Sequence, residues 1–73
     1  MLVHAKDTIV LWEDIAINRL NIHVCYASKS DVLLLVKEYT NVDDKNYLPG
    51  MWLYVVCIHG MGWTRYGYIE RFT

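Results

Sequence analysis

Cys57 and His59 lie two residues apart, a spacing that puts both side chains on one face of an extended chain. A thiol nucleophile and its general base need such a pairing. No third group to orient the base stands nearby, and Cys57 sits inside an apolar run between Val56 and Ile58. Glu13 and Asp14 are adjacent acids, but neighbouring side chains diverge at a strand end, which argues against paired-carboxylate catalysis. His4, His23 and His59 have no ligand spacing, and Cys25 and Cys57 form no Cys-x-x-Cys pair. Any metal site would therefore have to be assembled by the fold. A glycine-rich phosphate loop is absent. These residues point to a non-enzyme that uses no cofactor and no metal. With no secretion signal, the two thiols read as reduced cysteines packed as small hydrophobes, although their spacing leaves a disulfide open.

Aromatic residues carry the stronger signal. Met51 to Phe72 contains Trp52, Tyr54, Trp63, Tyr66, Tyr68 and Phe72. Apolar residues fill Trp52 to Ile58, and His59-Gly60 falls where the backbone must reverse, with Gly60 taking the positive φ angle. A second run opens at Gly62, and Arg65-Tyr66-Gly67 then breaks the pattern before a last strand. The stretch reads as a hairpin, a short helical turn and a final strand. Its β-branched and aromatic content suits a pleated, half-buried surface.

The 73 residues make one domain, with a hydrophobic share of 55% and 14% aromatics. So short a chain cannot hide all of that apolar surface in its own core, so part is expected to be covered by another molecule. A formal net charge of −1, with basic residues scattered rather than clustered, argues against nucleic acid as the partner. No stretch reaches the ~20 apolar residues of a membrane span, and MLVHAKD meets charge too soon for a signal peptide. These features place the chain in the cytoplasm or in a virus particle.

The elements that would position the aromatic residues are short. Asp7 to Asp14 is strand-like, and Ile15 to Asn18 is either a loop tip or one helical turn capped by Asp14. Arg19 to Tyr26 alternates, placing Leu20, Ile22, Val24 and Tyr26 on one face. Val32 to Tyr39 is read as a strand rather than a helix, because turn-rich segments flank it and it carries β-branched residues. Asn41 to Gly50 is a solvated loop ending in the Pro49-Gly50 turn signal. Five short strands with brief loops predict an all-β fold, a small antiparallel barrel.

That order of elements resembles the Src-homology-3 (SH3) domain and its SH3-like barrel relatives over roughly Asp7 to Phe72. Val10-Leu11-Trp12-Glu13-Asp14 stands where the family's first strand carries Ala-Leu-Tyr-Asp-Tyr. Ser30-Asp31-Val32-Leu33 is similar to its Gly-Asp-hydrophobic turn, and Trp52-Leu53 to the tryptophan pair opening its third strand. Gly62-Trp63-Thr64-Arg65-Tyr66-Gly67-Tyr68-Ile69 resembles its Gly-hydrophobic-hydrophobic-Pro-Ser-Asn-Tyr-Val ending. Arg65 replaces the proline and Asp14 the last tyrosine of the first signature, which removes two apolar walls of a groove for proline-rich peptides.

The resemblance implies a five-stranded SH3-like barrel with Val24, Tyr26, Leu33, Leu35, Val55 and Ile69 inside. Trp52, Tyr54, Val56 and Ile58 would then face outward. It also implies a non-catalytic protein-interaction module that binds a peptide segment or a folded surface. The expected partner-binding residues are Trp12, Trp52, Tyr54, Tyr66 and Tyr68, with Glu13 and Asp14 as acids at the rim. The alternative is a structural subunit of a larger assembly, such as a virus or phage particle, or a small phage protein that inhibits a host enzyme.

Overall fold

The structure is a computed structural model that describes residues 1–19 and 22–71. Expectations involving Leu20, Asn21 and Phe72 lie outside the described residues. Seven strands are present: β1 (Leu2–Ala5), β2 (Ile9–Trp12), β3 (His23–Ala27), β4 (Leu33–Asn41), β5 (Gly50–Cys57), β6 (Gly60–Arg65) and β7 (Ile69–Arg71). Short 3₁₀ turns occupy Ile17–Arg19 and Tyr66–Tyr68, and the described residues form no α-helix. All strand pairs are antiparallel in one sheet, ordered β3-β2-β6-β5-β4-β1-β7, which curls into a half-barrel.

The all-β, antiparallel expectation therefore holds, with seven strands in place of five. Leu2–Ala5 was not expected as a strand, yet β1 bridges β4 and β7. The strand-like runs of Asp7 to Asp14 and Arg19 to Tyr26 contain β2 and β3, which pair as a hairpin. Val32 to Tyr39 is a strand as expected, apart from Val32 itself.

Leu11, Leu33, Val3, Val55, Ala5 and Ala27 are fully buried on the inner face, joined by Leu53 and Ile9. Full burial of each leucine or valine contributes roughly 1.5–3 kcal/mol. Leu33 and Val55 were expected there, and Leu35 and Ile69 pack against the same cluster half-buried. Val24 and Tyr26 were expected inside and stand outside, 48% and 56% exposed. The inner face of β3 carries Cys25 and Ala27 instead. Because side chains alternate with period two, seating Cys25 and Ala27 against the core places Val24 and Tyr26 on the opposite side. Val24 is also the extra residue of a bulge, since Leu11 pairs with Cys25 and Trp12 with His23. A second bulge at Val36 shifts the register between β4 and β5.

Two glycines fix the frame. Gly60 has φ +146° and closes the two-residue turn of the β5–β6 hairpin, as its sequence context predicted. Gly62 lies where β2 crosses β6, and a Cβ there would stand 2.8 Å from the Trp12 carbonyl oxygen and 2.9 Å from Leu11 Cβ. Backbone cannot approach that closely over any other residue. Gly62→Ala is expected to lower the unfolding free energy by roughly 1–3 kcal/mol in urea titrations, because the crossing strand must shift.

Candidate functional site

β2 meets β6 at a single pair, Trp12 opposite Trp63. Beyond it the strands leave a cleft of about 400 Å³. One wall is Ile9 and Val10 of β2 with the Lys6–Thr8 connection, and the other is Thr64, Arg65 and Tyr68, with Trp12 at the junction. The Lys6 amide donates to the Tyr68 carbonyl at 2.9 Å, tying the 3₁₀ turn to the β1–β2 connection and closing one end. Thr64 is 1% exposed, and its hydroxyl has no hydrogen-bond partner. A buried hydroxyl left unpaired costs about 1–3 kcal/mol. Lys6 and Asp7 bring one charge of each sign to this lining, while the Arg65 guanidinium is engaged with Trp52 and Pro49.

Of the seven residues read from the sequence, Trp12 and Tyr68 share this cleft. Tyr66 is exposed on the neighbouring turn but is not part of the lining. Tyr54 lies elsewhere, packed edge-to-face on Trp63 at 5.1 Å with the Lys37 ammonium 5.3 Å from its centroid. Asp14 does not stand at the rim as a loose charge. Its Oδ1 accepts from the amides of Ile15 at 2.7 Å and Ala16 at 3.2 Å, so it caps the turn that leads into the first 3₁₀ segment. Its side chain lines a different depression, with Lys37, Tyr39, Tyr47 and Trp63. Glu13 is exposed at the end of β2, where its amide donates to the Ile22 carbonyl.

Trp52 requires the largest correction: it is 3% exposed. It does face away from Leu53 and Val55, but that side is covered. The loop around Ile15–Ile17 zips to residues 46–48 through Ile17 N–H to the Asn46 carbonyl and Leu48 N–H to the Ile15 carbonyl. The indole N–H of Trp52 donates to the Leu48 carbonyl at 3.3 Å, and the Arg65 guanidinium lies 4.3 Å over its ring while donating to the Pro49 carbonyl at 2.7 Å. Asn41, 4% exposed, holds this loop in shape: its Nδ2 is within reach of the Asp44, Tyr47 and Leu48 carbonyls, and its Oδ1 accepts from the Asp44 amide. Arg65, read from sequence as a lost wall of a groove, is thus the cover over Trp52.

Sequence reasoning missed Thr64, Arg65 and the Lys6–Val10 wall. A threonine alternating with apolar neighbours in a strand gives no sign that its hydroxyl will go unpaired. Cys57 and His59 do not form a nucleophile pair; His59 stands in the hairpin turn with its Nε2 3.6 Å from Asp31. Burial, and secondarily Cys57 itself, push the Cys25 thiol above its ordinary pKa, so forming its thiolate calls for more alkaline conditions. Among the described residues, no cluster of three or more His, Cys, Asp or Glu could hold a metal ion. No protein-family model matches the chain, and neither a curated protein nor a solved structure matches it significantly.

Trp52→Ala is expected to cost about 3–5 kcal/mol, measured by thermal or urea unfolding, because it empties a covered site. Asn41→Ala should cost about 1–3 kcal/mol, by unpairing buried backbone groups of the 41–49 loop.

Proposed function

We propose that this protein is a non-catalytic protein-interaction module of the SH3-like kind, which binds an extended peptide segment in the cleft between β2 and β6. The observation that carries this reading is the convergence of Trp12 and Tyr68, from opposite ends of the chain, on one cleft that Thr64 also lines. Two features of the topology support the SH3-like part. The first strand is shared between β4 and the last strand, and a 3₁₀ turn separates the hairpin from that last strand. The family's first signature falls on β2 here rather than on the strand that bridges β4 and β7, and Arg65 takes the place of the proline.

Those departures change the ligand. Asp14 caps its own turn, so the acids that would draw a basic peptide are not on this cleft. Lys6 offers a contact to a carboxylate, and the walls of Ile9, Val10, Trp12 and Tyr68 favour an apolar or aromatic side chain beside it. The aromatic walls supply area at low entropic cost, and the charges supply orientation and association rate.

A second reading, a subunit of a larger assembly, is favoured by one specific feature. Leu2, Leu34, Val56 and Met61 are register neighbours across β1, β4, β5 and β6, and Leu2, Leu34 and Met61 are each about half exposed. An apolar row this continuous on an outer sheet face marks a contact surface. Sedimentation of wild type and Met61→Glu separates the readings. A monomer in both supports the module, whereas an assembly that Met61→Glu dissolves supports the subunit.

Peptide-library selection followed by titration tests the cleft. Tyr68→Ala is expected to weaken binding at least tenfold while changing stability by no more than about 0.5 kcal/mol, because the side chain is exposed. Thr64→Val should raise stability, by removing the unpaired hydroxyl, and still weaken the peptide. Peptides that bind Thr64→Val and Tyr68→Ala as tightly as wild type would place the contact elsewhere.

A further inference from the structure

Cys25 and Cys57 stand on β3 and β5, which lie three places apart in the sheet and do not pair with each other. Curling of the sheet nevertheless brings them to the same core cluster, against which both side chains pack half-buried. Gly60 is the register partner of Cys57, and the Cys25 sulfur reaches to within 3.3 Å of where a side chain on Gly60 would begin. We propose that Cys25 and Cys57 are a disulfide-forming pair that takes a low-molecular-weight disulfide of the glutathione type as oxidant and fastens the β2–β3 hairpin to the body of the sheet.

The order of steps follows from access. Cys25 lines an open surface cleft of about 500 Å³ with Thr8, Tyr26, Ser28, Asp31 and His59, whereas Cys57 is not part of that lining. The Cys25 thiolate attacks one sulfur of oxidised glutathione, the glutathione S–S bond breaks and one glutathione thiolate leaves. Cys57, deprotonated in turn, attacks the Cys25 sulfur of the mixed disulfide and expels the second glutathione. Two cysteine thiols are oxidised, one glutathione disulfide is reduced to two thiols, and the two protons end on the glutathiones. The consequence is local to the β2–β3 hairpin. β2 touches β6 at one residue pair, so a covalent tie through β3 holds the strand that carries Trp12. The closed loop spans more than thirty residues, long enough for a cross-link to constrain the unfolded chain appreciably.

The folded protein is incubated with glutathione disulfide at mildly alkaline pH and then examined by non-reducing peptide mapping and thermal unfolding. The expected result is one intramolecular linkage between the peptides containing Cys25 and Cys57, with Tm raised by about 10 °C and reversed by dithiothreitol. Cys57→Ser should stop at a glutathione adduct on Cys25 with no rise in Tm. The proposal is overturned if the folded wild type retains free thiols or stops at the adduct while the chain unfolded in guanidinium becomes cross-linked. Linkage between two chains, or an internal bond that leaves Tm unchanged, overturns it as well.

Discussion

The close crossing of β2 over β6 at Gly62 is the constraint on which the rest of this structure depends. A backbone carbonyl and a leucine Cβ occupy the volume that any side chain on Gly62 would need. The crossing brings Leu11 into the core and sets Trp12 opposite Trp63. It also joins the outlying β2–β3 hairpin to the sheet through one residue pair rather than a full ladder. One contact point leaves the strands free to part, and the cleft is the gap that results. Close approach without a side chain and an open site beside it are therefore two aspects of one arrangement.

The half-barrel buries apolar side chains on both sides of β5, by different means. Leu53 and Val55 enter the main core, where neighbouring strands cover them. Trp52 faces the other way and is covered by polar devices: two loops zipped backbone to backbone, an asparagine that ties one of them, and an arginine stacked on the ring. A guanidinium suits this role because it is flat, weakly hydrated and able to bond the adjacent Pro49 carbonyl while lying over the indole. A chain this short gains a second small cluster in this way without adding strands. Further along the same outer face Leu2, Leu34 and Met61 stay about half exposed.

The cleft and the cysteine pair both follow from the hairpin. Thr64 leaves its buried hydroxyl unpaired where a valine would pack at lower cost. Cys25 packs with Ala27 toward the core, and alternation along β3 leaves Val24 and Tyr26 on the solvent side.

Strand-forming composition, the turn at His59-Gly60, the 3₁₀ break at Arg65-Tyr66-Gly67 and the extended state of Leu33 to Tyr39 were legible in the residues themselves. These are local matters, set by φ preference, side-chain branching and apolar period. Asp14 was legible as a cap for the same reason, since its partners are the next two amides. The facing of β3, the covering of Trp52 and the sharing of β1 between two strands were not legible, and the meeting of Trp12 with Tyr68 was implied only by the family resemblance. Alternation shows that successive side chains oppose each other, but not which of the two sides will be the crowded one. A tryptophan in a strand looks the same whether a ligand or its own loops will cover it. The sequence alone therefore determined which segments extend and where they turn. Tertiary structure decided which faces are inside and which distant residues meet, because those outcomes depend on the space left between elements far apart in the chain.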